Sequence, residues 1–365
     1  MAFDERVFQV ALSMIPGIGP VTSKKLITRF GSAPAVFRAK KNEWRDVPFA
    51  GKHLAAMVKD KSVLLRAEKE IAFAEKNNIR LIFFSDKEYP YRLKQCFDGP
   101  YLIYYRGNAP LNPARVVSIV GTRRASEYGR MLTEKLVEDL SACSVTVVSG
   151  LAFGIDILAH KASLKYGAPT IGVLGHGLDM LYPVGHKATA KKMEENGGIL
   201  SDFPSETIPD KENFPLRNRI VAGMSDATIV VQSGASGGSM ITAEFANNYN
   251  RDVFAFPGAV GDALSAGCHS LIRQNKAALI ESADDVLKFM GWERKEEKPK
   301  QSLMHIGTTP EQETLLTLLR GQGNVHIDDL VLASGFSQGK TSSILLELEF
   351  AGAVKSLPGK FYRLN

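Results

Sequence analysis

The sequence predicts an α/β protein built on a doubly wound parallel sheet. Between residues 115 and 280, seven short apolar segments alternate with segments long enough to form helices. Strands have continuous apolar sequences when helices cover both faces of a parallel sheet. Several of the apolar segments also run into a Gly- or Ser-rich break that opens a helix, as in Val117–Arg123, Val147–Gly154 and Ile229–Ser239. This succession is typical of βαβ units.

Residues 1–80 predict a helical domain of the helix-hairpin-helix (SAM-like) kind. One apolar helical face runs from Val7 to Met14, and the segment Pro16–Pro20 then breaks the chain. The remaining elements predicted here are helices at Val21–Phe30, about 51–58 and 62–77, after which a strand at Leu81–Phe84 opens the next domain.

Residues 81–292 form the predicted α/β core. Its candidate strands are Arg115–Val120, Val145–Ser149, Thr170–Leu174, Gly198–Ser201, Ala227–Val231, Val253–Phe256 and Ala278–Ile280. Its candidate helices are 126–142, 155–166, 186–196 and 239–249, and Ser126 is the predicted N-cap of the first of them.

The sequence of residues 293–365 predicts a linker and a third domain. Residues 293–310 open with a charged stretch that has no apolar residue, which suits a solvated linker. Residues 311–365 then predict three helices, at 311–320, 326–334 and 337–351, and a strand pair, Val354–Leu357 and Phe361–Leu364. Three helices followed by a hairpin are typical of a winged helix.

Composition narrows the class of protein. The 365 residues are 44% hydrophobic, enough for a large core and more than one domain. Cys96, Cys143 and Cys268 lie far apart, so we expect buried thiols and neither a disulfide framework nor a zinc site. No run approaches the roughly 18 apolar residues of a membrane span, so no membrane partner is predicted and the cytoplasm is the expected location.

The net charge of +6 is unevenly distributed. Residues 1–85 contain 15 Lys and Arg against 8 Asp and Glu, whereas residues 86–290 contain 21 against 22 and residues 309–365 contain 5 against 6. A nucleic-acid partner is compatible with this pattern, but any site in the core must be a local patch of cations.

The N-terminal hairpin is a candidate secondary DNA contact. Gly17 and Gly19 allow close approach of backbone N–H groups to a phosphate, and Lys24 and Lys25 follow on the next helix. The alternative is an ordinary helix–helix turn in which the glycines serve packing.

Two loops after core strands have the composition of phosphate sites. Gly121 and Arg123 follow the first core strand, where an arginine clamps phosphate bidentately. The loop Ser233–Ser239, which includes Ser236 and Gly237, precedes a helix and offers backbone N–H groups to an anion. Neither loop has the Gly-x-Gly-x-x-Gly fingerprint or the P-loop pattern, so no nicotinamide cofactor and no ATP hydrolysis are expected.

The segment Lys211–Ile220 combines cations with an aromatic ring. Lys211, Arg217 and Arg219 flank Phe214 within nine residues. Single-stranded nucleic acid is held by cations that follow the backbone and by rings that stack on bases of any sequence. The alternative is that Phe214 is a core residue and the arginines pair with carboxylates.

Asp156 and His160 stand four residues apart on a predicted helix. Such a pair suits a general acid and base, or half a metal site, but no third ligand has suitable spacing. We therefore favour a structural hydrogen-bonded pair, and the same interpretation covers His176 and His186.

The motifs, taken in order, resemble the DprA/Smf family (DNA-processing protein A). They are Tyr89-Pro90, Val120–Ser126, Ser149–Ala152, Gly154–Asp156 with Ala159-His160, Tyr182-Pro183, Phe214-Pro215 with Arg217–Ile220, Ser236–Ser239 with Thr242-Ala243, and Phe256–Gly258. The flanking helix-hairpin-helix-like and winged-helix-like domains are common companions in that family.

The resemblance implies an extended Rossmann core that binds single-stranded DNA, dimerises and takes no cofactor. It further implies a non-catalytic mediator that loads RecA onto DNA coated by single-strand-binding protein during natural transformation. By position, Arg123 corresponds to a phosphate-gripping arginine, Lys211 to a second phosphate contact and Phe214 to a base-stacking ring. The other pocket positions implied are Gly121, Arg217, Ser236, Gly237 and Ser239.

Three departures from the family pattern concern the details of the pocket. Many relatives carry Glu at the position of Gln232 and Gly-Ala in the region of Asn275–Ala277. In addition, Gly238 makes the loop Ser233–Ser239 richer in glycine than is usual in the family.

Two other functions remain as alternatives. The loop Ser236–Thr242 loosely resembles that of cytokinin-activating nucleoside-monophosphate hydrolases, with Glu244 as a stand-in catalytic carboxylate, which would make the protein a nucleotide-processing enzyme. A regulator that reads duplex DNA through residues 309–365 is the second alternative. The predicted recognition helix 337–351 has Lys340 as its single cation, so protein contact is favoured for that domain.

Overall fold

The structure is a computed structural model, and it describes residues 3–40, 42–44, 47, 56–292, 309–320, 323–357 and 359–364. The chain divides into two compact units, Met1–Glu293 and Arg294–Asn365. Most of the predicted linker 293–310 and most of the predicted helix at 51–58 lie outside the described residues.

The first unit is organised around a large sheet, and the predicted α/β fold is confirmed. In the described part of the chain nine strands have the spatial order β1-β2-β6-β5-β4-β3-β7-β8-β9. The strands are β1 (Arg80–Phe83), β2 (Leu102–Gly107), β3 (Val116–Val120), β4 (Thr146–Ser149), β5 (Thr170–Val173), β6 (Gly197–Ser201), β7 (Ala227–Val230), β8 (Asp252–Ala255) and β9 (Ala278–Leu279). Strands β3 to β9 run parallel, whereas β1 and β2 form an antiparallel edge.

The strand order reverses around β3. Val117 pairs with Val147 of β4 on one side and with Ala227 of β7 on the other. The chain winds outward from β3 to β6 in one direction and from β7 to β9 in the other. A crevice therefore opens at the carboxyl ends of β3 and β7, where doubly wound sheets bind ligands.

Side chains of β3 show why its sequence is continuously apolar. Val117 and Ile119 belong to one buried cluster, and Val116 and Val120 belong to another. Because neighbouring residues of a strand point to opposite faces, both faces of the sheet are buried. The predicted cap Ser126 is confirmed, since its hydroxyl accepts a hydrogen bond from the N–H of Gly129 at 3.2 Å.

Helices cover the sheet of the first unit. They are α1 (Glu5–Met14), α2 (Pro20–Phe30), α3 (Ala33–Arg38), α4 (Lys61–Lys76), α5 (Tyr91–Lys94), α6 (Glu127–Ser141), α7 (Ile155–Tyr166), α8 (Lys187–Met193), α9 (Asn213–Gly223), α10 (Gly238–Asn248), α11 (Ala266–Arg273) and α12 (Ala283–Phe289). No helix among the described residues combines the length and apolar character needed to cross a bilayer.

The N-terminal helices share a hydrophobic core with the antiparallel edge of the sheet. Val10, Leu12 and Leu26 belong to the same buried cluster as Phe83 and Leu102. The division of this unit at residue 80 stays a prediction.

Sequence patterns did not predict α9. All seven residues from Arg217 to Gly223 are buried, so the second half of the helix has no solvent-exposed face and its sequence lacks the usual 3.6-residue alternation. Pro215 lies in its first turn, where a missing N–H breaks no intrahelical bond. Strand β2 and helices α3, α5, α11 and α12 are further elements absent from the prediction.

The second unit has the predicted three helices and strand pair. Its elements are α13 (Pro310–Leu319), β10 (Val325–His326), α14 (Ile327–Ser334), α15 (Gln338–Phe350), β11 (Val354–Leu357) and β12 (Phe361–Leu364). The strands form an antiparallel sheet of order β10-β12-β11, and Val354 pairs with Leu364. Leu315, Leu330 and Leu345 form part of its separate core. Pro358, in the predicted turn, lies outside the described residues.

Candidate nucleic-acid interface

A cavity of about 510 Å³ opens at the carboxyl ends of β3 and β7. Its walls come from the loops after β3, β4 and β7 and from helices α9 and α10. Eight of the nine predicted core site residues line it, namely Gly121, Arg123, Lys211, Phe214, Arg217, Ser236, Gly237 and Ser239. We call it the central cavity.

The loop after β3 is held close to the neighbouring strand. The N–H of Thr122 donates to the carbonyl of Gln232 at 2.7 Å. A Cβ atom at position 121 would lie 2.8 Å from that carbonyl oxygen, so the close approach requires Gly121. Arg123 follows with an exposed side chain, and its Cζ lies 5.7 Å from the centre of the Phe214 ring. The loop thus presents a guanidinium group beside an aromatic ring.

Gln232 supports the start of α6. Its Oε1 accepts the N–H of Ser126 at 3.0 Å, and its Nε2 donates to the Ser126 hydroxyl at 2.9 Å. This amide holds the loop through hydrogen bonds without adding a negative charge next to the cavity.

Helix α9 carries Phe214 and Arg217 to the central cavity. They lie three residues apart and therefore on one face of the helix. Phe214 is half-buried and Lys211, just before the helix, is exposed. Arg217 is buried, its guanidinium donates to the carbonyls of Gly150 and Val173, and burial lowers its pKa to about 10. Arg217 therefore forms part of the cavity wall.

The structure does not bring Arg219 to the central cavity. It follows Arg217 by two residues, which is about 200° of helical rotation. Its guanidinium donates to the Asp98 carbonyl and pairs with the Asp202 carboxylate at 2.5 Å. Arg219 is buried and lines a different cavity of about 380 Å³.

The loop Ser233–Ser239 leads into α10. Ser236 and Gly237 are exposed, whereas Ser239 is buried and its Oγ lies 2.8 Å from the Oγ of Ser233. Among the described residues, no side chain caps α10. The first N–H groups of a helix have no intrahelical acceptor, and they carry the positive end of its dipole. The cavity wall formed by this turn is therefore suited to an anion.

Asp156 and His160 are buried structural groups, but the favoured hydrogen bond between them is wrong, because each bonds to other residues. An Asp156 oxygen accepts the N–H groups of Gly150 at 3.1 Å and Ala152 at 3.4 Å. His160 Nδ1 lies 2.7 Å from the Thr170 hydroxyl, and burial lowers the pKa of His160 to about 3. Within the described part of the chain, no group of three His, Cys, Asp or Glu residues is arranged to hold a metal.

The N-terminal hairpin contributes nothing to the wall of the central cavity. Gly17, Gly19 and Lys25 are exposed. The Nζ of Lys24 lies 4.0 Å from the centre of the Phe84 ring, and burial lowers the pKa of Lys24 to about 8. Lys24 thus packs inward against the edge of the sheet, and a DNA contact by these four residues stays a prediction.

Two aromatic residues near the central cavity were not predicted as site residues. Tyr182 lies next to Phe214, with 6.0 Å between the ring centres, and Phe153 contacts His186. The only signal in the sequence was Tyr182-Pro183 as one of the motifs that carry the resemblance. The three predicted buried cysteines, Cys96, Cys143 and Cys268, are buried free thiols.

Comparisons with known proteins identify similar chains. A family model described as DNA recombination-mediator protein A matches residues 80–291, and one described as the DprA winged helix domain matches residues 297–360. Protein Smf of Synechocystis sp. is 30% identical over 397 aligned residues, covering 100% of both chains.

Two solved structures are also similar. That of DNA processing protein A from Streptococcus pneumoniae is 31% identical, with a TM-score of 0.61 over 79% of this chain and 98% of that chain. That of DNA processing protein A from Helicobacter pylori, described for its unique single-stranded DNA binding mode, is 28% identical. Its TM-score is 0.53, with 58% of this chain and 95% of that chain covered.

Proposed function

The chain belongs to the DprA/Smf family of DNA recombination-mediator proteins, and on that premise we propose that it binds single-stranded DNA and loads RecA onto it. The proposed action is independent of base sequence and non-catalytic. The central cavity carries this proposal, because exposed cations, an uncapped helix N-terminus and an aromatic ring converge there.

Each part of the cavity suits one part of a single strand. Arg123 offers a planar fork for a phosphate, Lys211 adds a second positive charge, and the first turn of α10 adds backbone N–H groups. The Phe214 ring stacks on a base of any sequence. Binding is therefore expected to depend on salt and to be nearly indifferent to sequence.

The relative from Helicobacter pylori supports this choice of ligand, since its structure is described for single-stranded DNA binding. The proposed location is the cytoplasm, where DNA and RecA are found together. We also propose a homodimer that forms through the α/β core, because two shallow sites on one strand gain avidity when their spacing fits. Single-strand-binding protein is the other proposed partner.

The carboxylates near the cavity support a non-catalytic role. Asp156 accepts two backbone N–H groups, and Glu244 pairs with Lys276 at 3.0 Å and does not line the cavity. In the second unit, the Lys340 ammonium is paired with Glu311 at 2.5 Å, which disfavours its use on duplex phosphates.

The test is a fluorescence-anisotropy titration of labelled oligo-dT and a matched duplex across a salt series. We expect tight single-strand binding by the wild type and a loss of at least tenfold in Arg123→Ala/Phe214→Ala, since one stacked base alone contributes ~1–3 kcal/mol. The matched control is Arg124→Ala/Phe97→Ala, which removes an exposed arginine and an exposed ring that do not line the cavity. Equal binding by both double variants would refute the proposed site.

Three further assays address the remaining functions. A strand-exchange assay with RecA and DNA coated by single-strand-binding protein tests loading. Turnover of nucleoside monophosphates would instead support the hydrolase alternative. Footprinting that reveals a preferred duplex would support a regulator that reads DNA through residues 309–365.

A further inference from the structure

A shallow recess of about 30 Å³ adjoins the central cavity. The two share five lining residues, Arg123, Gly150, Ala152, Phe214 and Arg217. The recess adds Phe153, Tyr182 and Pro183, which come from the loops after β4 and β5. We call the Phe153 and Tyr182 rings the aromatic shelf.

The shelf exposes apolar surface to water. Phe153 is 51% exposed and Tyr182 is 47% exposed. Covering these rings would be favourable, at roughly 25 cal/mol for each Å² of apolar surface removed from water. The Tyr182 ring of the shelf and the Phe214 ring of the cavity are neighbours, with their planes 34° apart. The aromatic surface is therefore continuous from the cavity to the shelf.

Buried histidines contact the backbone of Tyr182 and the ring of Phe153. The N–H of Tyr182 donates to His176 Nε2 at 3.2 Å, and His176 Nδ1 donates to the Gly177 carbonyl at 2.9 Å. Burial lowers the pKa of His176, so the ring stays neutral and Nε2 stays an acceptor. Phe153 meets His186 edge-on at 5.0 Å, and His186 Nδ1 donates to the Leu151 carbonyl at 2.8 Å. The Tyr182 backbone and the Phe153 ring are thus positioned before a ligand arrives, which lowers the cost of ordering them on binding.

We propose that the aromatic shelf is a second base-stacking site, which holds a nucleobase of the same strand whose phosphate contacts Arg123. This inference rests on the proposed function. The shared Arg123 and Phe214 make the shelf continuous with the cavity, so a strand bound at Arg123 can extend across it. A recess of about 30 Å³ is too small to enclose a base; the base therefore lies across the rings with one face open. None of the residues that line the recess is acidic, so nothing there repels a phosphate.

The first experiment is anisotropy with oligo-dT of about 20 nucleotides across a salt series. We expect Tyr182→Ala to weaken binding by about 5- to 150-fold, the range for loss of one stacked base, and Tyr182→Phe to stay within about twofold. The slope of log affinity against log salt should be unchanged in both, since neither ring carries charge, whereas Arg123→Ala should reduce it. Tyr91→Ala, which removes an exposed ring outside the recess, is the matched control.

The second experiment is photocrosslinking of the wild type to oligonucleotides with 5-iodouracil at successive positions, followed by peptide mapping. Crosslinks to Tyr182 or Phe153 are expected, and this result does not depend on how any variant folds. Wild type that binds no single strand would refute the proposed function itself. If the wild type binds but Tyr182→Ala binds equally well, or if crosslinks form only at other residues, the second stacking site is refuted while the proposed function stands. Loss of dimer mass in Tyr182→Ala without a crosslink would mean that a second copy of the chain covers the rings.

Discussion

Arg123 and Arg217 line the same cavity with the same functional group, but their surroundings give them different roles. The Arg217 guanidinium is buried and donates to two backbone carbonyls, next to the buried Asp156 carboxylate. Arg123 is exposed and keeps its hydrogen-bonding capacity for a ligand. Mutations should separate the two roles.

Arg217→Ala is expected to destabilise the first unit by ~3–5 kcal/mol, since it leaves two buried carbonyls without their donor and removes the positive charge next to the buried Asp156 carboxylate. Arg123→Ala, at an exposed position, should change stability by at most ~0.5 kcal/mol. Urea unfolding followed by tryptophan fluorescence is the suitable measurement, because both tryptophans, Trp44 and Trp292, lie in the first unit. Similar stability of the two variants would contradict the structural role of Arg217.

Stability of the first unit should fall as the pH falls below about 6.5. Burial lowers the pKa of His160 to about 3 and also lowers that of His176. Below the ordinary histidine pKa the unfolded chain binds protons that the folded chain does not, so acid favours unfolding by up to about 1.4 kcal/mol per pH unit for each histidine. Urea unfolding between pH 5 and 7 measures the slope. His160→Gln should make it shallower, and an identical slope would argue against a neutral buried His160.

At the scale of elements, helix α4 is tied to the loop that leads into α9. Glu70 is fully buried and accepts the N–H of Ser205 at 2.8 Å, while Arg66 pairs with Glu70 at 2.8 Å and donates to the Ser205 carbonyl at 2.7 Å. This loop continues to Lys211 and Phe214. The N-terminal helices thereby support one wall of the central cavity.

Glu70→Ala is expected to cost ~1–3 kcal/mol of stability, because it leaves the buried Ser205 N–H without its acceptor and the partly exposed Arg66 without its partner. Glu70→Gln, which keeps an acceptor for the Ser205 N–H, should cost less. Glu68→Ala, an exposed carboxylate on the same helix, serves as the control. The urea midpoint should be lowest for Glu70→Ala, intermediate for Glu70→Gln and highest for Glu68→Ala. Equal midpoints would contradict the proposed connection between α4 and the loop at Ser205.

At the scale of the whole molecule, the two units differ in net charge. Residues 309–365 contain 5 Lys and Arg against 6 Asp and Glu. Leu332 is 83% exposed and Phe350 is 86% exposed in this unit. A surface of this kind offers little to a polyanion, so single-strand affinity should come from the first unit.

Charge reversal in the second unit tests this assignment. In the full chain, Lys355→Glu/Lys360→Glu should leave affinity for oligo-dT within about twofold and should leave the salt slope unchanged. Lys211→Glu should instead reduce the salt slope by roughly 0.7 or more, the contribution of one lost phosphate contact on a single strand. A comparable loss in both variants would mean that the second unit also contacts the strand.

The sequence alone determined the α/β class, the seven parallel strands and the loops at Gly121–Arg123 and Ser236–Ser239. Those features follow from local patterns, since a buried strand has a continuous apolar sequence and parallel strands end at one edge of the sheet. Only the tertiary structure decided that residues 213–223 form a helix, on which Arg217 and Arg219 then point to different cavities, and that Tyr182 reaches Phe214. Each depends on packing between segments distant in the chain. In α9 that packing buries every side of the second half, which removes the periodicity that would have revealed the helix.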